Sequence, residues 1–370
     1  MKFATRAIHI PEHRVDGAVA PPIRLSTTFE HGPANERLSD FEYIRYGNPN
    51  VNELEARLAA LENGASALVY ASGMAATTAL FGTLEAGSEI LLHKDCYFDT
   101  RILARGLANR TGTSHRILDL RDTALLESAL SEKTALVWFE TPSNPRLDVI
   151  DIARVAELAH AAGAKLAVDG TFTTPAVQQP LRHGADYVMH SMTKYIGGHS
   201  DVQGGTLVLR DDPSLDAALR NQRTVTGGVL SPFNAWLLSR GLQTLDCRIE
   251  RHAANALAVA EMLSAHPAVE RVNYPFLATS PDRAVATKQM RSGGGMLSVE
   301  LAGGREAALR LASRVKLFVN ATSLGGVESL IEHRASVEGT ETAAPDNLLR
   351  LSVGLEHADD LIADLEQALR

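Results

Sequence analysis

The chain has only two cysteines, Cys96 and Cys247, in 370 residues. A lone, distant pair excludes a disulfide framework and suits a reducing compartment. No apolar run approaches the roughly 18 residues that a membrane span needs. The opening Met1-Lys-Phe-Ala-Thr-Arg-Ala-Ile-His9 holds no apolar signal core, so a cytoplasmic location is expected. There is no basic excess either: 36 Lys and Arg against 44 Asp and Glu leave a net charge of −8, without a basic cluster, which argues against a nucleic-acid partner. No G-x-G-x-x-G follows a strand, and no HExxH or paired-cysteine spacing occurs, so nicotinamide and zinc-hydrolase readings lack support. The 13 histidines, with His183, His190 and His199 near the site developed below, read as structural rather than as metal ligands. No internal repeat is evident.

What is present is alternation. Short, nearly continuous apolar runs predict strands at Ser66–Ala71, Glu89–His93, His115–Asp119, Thr134–Glu140, Lys165–Asp169, Asp186–His190 and Gly205–Leu209. Helix-periodic stretches such as Met74–Leu84, Arg101–Ala108 and Ile152–Ala161 lie between them. The pattern predicts an α/β fold with a parallel or mixed sheet flanked by helices. After Ser231-Pro232 a long helix-forming stretch, Phe233–His266, ends at Pro267. A smaller α+β tail follows, with runs at Val269–Tyr274, Met296–Leu301, Lys316–Asn320 and Leu348–Val353 and a closing helix near Ala358–Leu369. The expected organisation is an extended arm over 1–45 reaching a neighbouring subunit, a large cofactor-binding domain over 46–230, and a C-terminal α+β domain over 231–370.

Chemistry concentrates at strand ends. The run Asp186–His190 leads into Ser191-Met-Thr-Lys194 and then Gly197-Gly198, two hydroxyls flanking one lysine. A partly desolvated lysine near other cations has a lowered pKa and can attack a carbonyl to form a Schiff base. Asp169 ends another apolar run, where ligands bind in open α/β sheets and where a carboxylate would keep a pyridine nitrogen protonated. Ser72-Gly73-Met74 opens a helix after a strand, an arrangement that offers free N–H groups to an anion. Tyr97 follows a third strand and can stack on a planar ring.

Eight segments in order resemble the Cys/Met-metabolism (trans-sulfuration) family of pyridoxal-phosphate enzymes, which includes cystathionine γ-synthase, cystathionine lyases and methionine γ-lyase. They are Tyr43-Ile-Arg45-Tyr-Gly-Asn-Pro, Ser72-Gly-Met, Glu140-Thr-Pro-Ser-Asn-Pro145, Val168-Asp-Gly-Thr-Phe, His190-Ser-Met-Thr-Lys-Tyr, Arg240-Gly-Leu-Gln-Thr-Leu, Ser323-Leu-Gly-Gly-Val-Glu-Ser-Leu and Leu349-Arg-Leu-Ser-Val-Gly-Leu-Glu356. The resemblance implies fold type I of the pyridoxal-phosphate enzymes, aspartate-aminotransferase-like, with a mostly parallel seven-stranded sheet. It implies that Lys194 holds the cofactor, pyridoxal 5′-phosphate, as an aldimine and then shuttles protons by way of a quinonoid. Asp169 would pair with the pyridine nitrogen, and Tyr97 would stack on the ring. Gly73, Met74, Ser191 and Thr193 would hold the phosphate, joined by Tyr43 and Arg45 from a neighbouring subunit of a homotetramer. Asn144 would lie beside the cofactor's phenolic oxygen. Arg350, with Ser323 nearby, would clamp the α-carboxylate of a small amino-acid substrate, and Glu328 would face its distal end. The implied reaction is γ-replacement or γ-elimination on cystathionine or an O-acylhomoserine, with β-lyase and methionine γ-lyase chemistry as alternatives.

Some positions depart from the family pattern. Phe98-Asp99 replaces Gly-Gly, Gly170 replaces Asn, Arg334 replaces Pro, and Val337-Glu338-Gly339 replaces Met-Thr-His. Rival readings are a non-catalytic protein that keeps the fold for binding, and a hydrolase using Ser191-x-x-Lys194. The latter needs companion Ser-Asp-Asn and Lys-Thr-Gly motifs, and the chain offers only Ser200-Asp-Val.

Overall fold

The computed structural model describes residues 1–9, 17–339 and 344–370. The parts of the expected arm and C-terminal domain at 10–16 and 340–343 lie outside the described residues. Seven strands form the larger sheet: β1 (Ser66–Tyr70), β2 (Glu89–His93), β3 (Ser114–Leu118), β4 (Thr134–Glu140), β5 (Lys165–Asp169), β6 (Tyr187–Ser191) and β7 (Gly205–Leu209), in the order β1-β7-β6-β5-β4-β2-β3. Only β7 runs antiparallel to its neighbours. Helices cover both faces. Val69, Val137, Phe139, Leu166, Val168 and Val188 face one buried cluster, while Leu68, Tyr70, Leu136, Trp138, Ala167 and Met189 face another. Burial on both sides explains why these strands read as unbroken apolar runs.

A second sheet holds β8 (Val269–Asn273), β9 (Met296–Leu301), β10 (Val319–Asn320), β11 (Leu330–His333) and β12 (Leu348–Ser352), ordered β10-β11-β12-β9-β8. Its core is a third cluster that includes Leu297, Val299, Ile331, Leu349 and Leu351. Among the described residues, no helix is long and apolar enough to cross a membrane.

Three local expectations change. The stretch 233–266 is two helices, Pro232–Gln243 and Leu245–Ser264, which part at Thr244. Arg248 holds the break: its guanidinium donates to the carbonyls of Gly241 and Tyr195, each at 2.7 Å. Of Lys316–Asn320 only the last two residues are strand, because the Asp364 carboxylate on the closing helix takes the N–H groups of Lys316 and Leu317, each at 2.8 Å. The start of the chain is not wholly extended. Phe3–His9 is a helix docked on the helix Pro49–Glu62, where Arg57 donates to the Ala7 carbonyl at 2.6 Å and Arg6 to that of Ala60 at 2.7 Å.

Candidate active site

The parallel strands β4, β5 and β6 end on one edge of the large sheet. Their registers bring Glu140 opposite Asp169, and Asp169 opposite Met189, two residues before Ser191. Lys194 lies in the turn after β6, with its backbone N–H on the Ser191 carbonyl at 3.2 Å. Its amine donates to Ser323 Oγ at 2.9 Å. Burial, reinforced by the nearby positive charge of Arg350 and Arg334, lowers the Lys194 pKa to about 8. The neutral, nucleophilic form of the amine is therefore far more populated near neutral pH than in an ordinary lysine. The loop that supplies Ser323 can approach this closely only because residue 325 is glycine. Gly325 has φ +78°, and a Cβ there would lie 2.6 Å from the Tyr195 nitrogen.

Asp169 is buried and accepts the Thr171 N–H at 2.9 Å. Burial raises its pKa, while the hydrogen bonds from Thr171 and the charge of His190 oppose the rise. A cationic ring nitrogen set against this carboxyl would draw it to the anionic form. Glu140 is wholly buried beside it, its pKa raised far above the usual range by burial and by Asp169, and its carboxyl accepts the Tyr97 N–H. Tyr97 opens the helix Phe98–Thr111 and packs edge-on against Phe98, with ring centroids 4.9 Å apart. Burial and a hydrogen bond with Asp99 push its hydroxyl up to about 12.

The helix Gly73–Phe81 points its N-terminus at the same edge. Ser72 caps it by accepting the Ala75 N–H at 3.1 Å, which leaves the Gly73 and Met74 amides without intrahelical partners. A Cβ on Gly73 would lie 2.9 Å from Ser191 Cβ, so the helix start and the strand end form one cradle. Thr193 Oγ1 exchanges hydrogen bonds with the Gly204 backbone, at 3.2 and 3.3 Å.

The second sheet supplies the other wall. Arg350 on β12 is buried, with its pKa lowered to about 10 by burial and by Arg334. It donates to Asn144 Oδ1 at 3.0 Å, to the Ser323 carbonyl at 3.2 Å and to Glu332 at 2.6 Å. Glu328 accepts a hydrogen bond from Ser200, at the far side of the same loop.

Of the residues singled out in the sequence, Lys194, Ser323, Arg350 and Asn144 form one connected group, and Gly73 meets Ser191 directly. Asp169 joins Tyr97 through Glu140. Tyr43 and Arg45 stand apart: Arg45 donates to the Thr224 carbonyl at 2.9 Å and lies over the Tyr43 and Tyr46 rings, with Tyr43 exposed. His190 lies behind the strand end, against Glu62. Its Nε2 lies 2.5 Å from Glu62 Oε1, and both side chains are buried. Gly170 also has a reason here, since a Cβ would sit 2.7 Å from the His190 ring. Sequence reasoning missed the buried acids Glu140, Glu332 and Glu338. No local pattern marks Glu332, which sits in the four-residue strand Leu330-Ile-Glu-His333.

Free amides at a helix start beside two hydroxyls, a buried carboxyl at a strand end, a tyrosine near the end of another strand and a lysine of lowered pKa are groups that fit pyridoxal phosphate. The comparisons agree with this reading. The model of the family "Cys/Met metabolism PLP-dependent enzyme" matches residues 4–370. Cystathionine gamma-synthase of Mycobacterium tuberculosis (strain ATCC 25618 / H37Rv) is 47% identical over 375 aligned positions, which cover 99% of this chain and 96% of that protein. L-methionine gamma-lyase of Pseudomonas deceptionensis is 41% identical over 388 positions, covering 100% and 97%. The crystal structure of cystathionine gamma synthase from Xanthomonas oryzae pv. oryzae, in complex with aminoacrylate and cysteine, superposes with a TM-score of 0.95 at 41% identity, covering 100% and 98%. The chain therefore belongs to the Cys/Met-metabolism family of pyridoxal-phosphate-dependent enzymes.

Proposed function

We propose that the protein is a trans-sulfuration enzyme of the cystathionine γ-synthase type, which replaces the γ-substituent of an O-acylhomoserine with the thiol of cysteine. In this reaction the Cγ–O bond breaks, a Cγ–S bond forms, the acyl group leaves as a carboxylate and the thiol gives up its proton. The observation that carries the reading is the Lys194 amine, unprotonated in part near neutral pH, held 2.9 Å from Ser323 and beside the Arg350 guanidinium. Glu328, on the loop after Ser323, favours an amino group at the distal end of the site, which cysteine brings as the incoming thiol compound and cystathionine carries as its second amine.

Pyridoxal phosphate, when bound, supplies an electron sink for negative charge at the substrate's α-carbon. The chain's residues do the rest. Gly73 and Met74 amides with the Ser191 and Thr193 hydroxyls would hold the phosphate, and Asp169 would keep the proton on the ring nitrogen. Arg350 would orient the α-carboxylate through the N–H groups that Asn144, Ser323 and Glu332 leave open. Lys194 Nζ would take the substrate's α-proton and return protons along the substrate chain. Tyr97 would stack on the ring, with its hydroxyl available to the departing group.

Tyr43 and Arg45 complete a neighbouring subunit's phosphate site in a homotetramer built from dimers, with the arm over 1–45 carrying the contact. The large domain over 46–230 holds the cofactor, the domain over 231–370 closes on the substrate, and the enzyme works in the cytoplasm.

The test is a side-by-side assay of the purified holoenzyme with O-succinylhomoserine plus cysteine, with cystathionine, and with methionine. Formation of cystathionine and succinate as the fastest reaction is expected. Release of a ketoacid from methionine as the dominant reaction would overturn the assignment in favour of γ-lyase chemistry.

A further inference from the structure

The small sheet places an acid where an incoming carboxylate must bind. Glu332 on β11 and Arg350 on β12 are directly opposed partners of an antiparallel pair, so the register itself puts them together. Glu332 nevertheless gives Arg350 only one oxygen. Its Oε2 accepts from Arg350 Nη2 at 2.6 Å and also from Arg334 Nη1 at 2.7 Å. Glu332 Oε1 is buried and has no hydrogen-bond partner among the described residues. Arg334 is in turn held by Glu338, whose Oε1 accepts Nη2 at 2.6 Å, and Glu338 Oε2 stands 4.0 Å from Arg101 Nη2.

A guanidinium has five N–H donors. Three on Arg350 are engaged, by Asn144, Ser323 and Glu332, which leaves two. They are Nε–H and one Nη1–H, each able to hold an oxygen of an incoming carboxylate. Without Arg334, the free oxygen of Glu332 has every electrostatic reason to swing onto those donors and close the site.

We propose that Arg334 is a positioning residue that keeps Arg350 open to the substrate's α-carboxylate by drawing Glu332 Oε2 to itself. The inference rests on the proposed role of Arg350 in binding that carboxylate. It joins two departures from the family pattern, Arg334 and Glu338, into one device.

The test measures ligand binding to the holoenzyme through the change in the cofactor's visible absorbance, with glycine (an amine with a carboxylate) and methylamine (the amine alone) as probes. For Arg334→Met the glycine dissociation constant is expected to rise at least tenfold, while that for methylamine stays within twofold. In the double variant Arg334→Met/Glu332→Gln, which can no longer close on Arg350 as a charged pair, glycine affinity is expected to return to within threefold of the parent. Unchanged glycine binding in Arg334→Met, equal weakening of both probes, or failure of the double variant to recover would each overturn the proposal. Should Arg334→Met not yield folded holoenzyme, Arg334→Lys decides. Glycine weakened threefold or more with methylamine unchanged supports the proposal, and parallel behaviour of the two probes overturns it. A wild-type protein that binds both probes but makes no cystathionine would remove the proposed reaction and leave this inference standing.

Discussion

The two sheets bury acids around one site by opposite means. At the end of the large sheet, Glu140 and Asp169 stand side by side on β4 and β5 and make no ion pair among the described residues, and burial raises both pKa values. On the small sheet, Glu332 and Glu338 are buried just as deeply, yet each meets an arginine at 2.6–2.7 Å. Unpaired carboxyls in a dry site take up protons, whereas paired ones fix the position of charge. One wall therefore favours protonated carboxyls, and the other fixes charge at set points.

The comparison breaks most severely at Lys194, which bridges the two walls. Lys194→Ala is expected to cut turnover by about a thousandfold or more, the order associated with loss of a nucleophile and acid–base group. Steady-state assay, together with borohydride trapping of the cofactor, checks it, and full turnover in the variant would sink the catalytic assignment. Next comes the same change made on either wall. Glu332→Gln leaves two buried guanidiniums without their shared anion and should cost about 3 kcal/mol. Glu140→Gln replaces a carboxyl already disposed to hold a proton, and an amide oxygen can still accept the Tyr97 N–H, so about 1 kcal/mol or less is expected. Urea unfolding of both variants measures the contrast, and equal costs would erase it. The pH dependence sharpens the point. Because the folded pKa of Glu140 lies above its unfolded value, the folded state binds more protons in that window and stability falls as pH rises above about 4.5. Glu140→Gln should flatten that fall between pH 5 and 8, only in part because Asp169 and Asp148 are shifted the same way.

The two walls also differed in how far the sequence disclosed them. Six of the seven strands of the large sheet were readable because their burial writes nearly continuous apolar runs, whereas the exposed β3 carries Ser114, His115 and Arg116. Lys194, Asp169, Ser191 and Gly73 stand at the ends of those runs, and their roles came from the family resemblance. The small sheet hid more. β11 is four residues long and carries a glutamate and a histidine, so neither apolarity nor alternation marks it. Glu332 gains its meaning from Arg350, 18 positions later, through a register no local pattern contains. The division at Thr244 was equally hidden, since the helical periodicity runs through it and the cause is the reach of Arg248 to carbonyls outside its own helix. Tyr43 and Arg45 show a third limit, because a motif matched residue by residue does not bring its side chains to the site within one chain.

The smallest expected effect tests whether the small sheet tunes the lysine from two directions. With its pKa lowered from the usual 10.5 to about 8, Lys194 binds fewer protons folded than unfolded between those values, so stability gains as pH rises across that window. In cofactor-free enzyme, the rate of imine formation with pyridoxal phosphate should rise with pH and level off above about pH 8, rather than climb toward 10.5. Ser323 accepts a hydrogen bond from the amine, and a hydroxyl oxygen is a better acceptor for the charged form than for the neutral one. Ser323→Ala should therefore move the midpoint down, by the worth of one hydrogen bond of about 1 kcal/mol or less. Arg334 disfavours the charged amine by proximity, so Arg334→Met should move the midpoint up. Opposite displacements would establish that the hydroxyl and the guanidinium act on Lys194 as separate local influences. Displacement in the same direction would mean that both variants merely loosen the burial of the lysine, and the division of labour between the walls would fall with it.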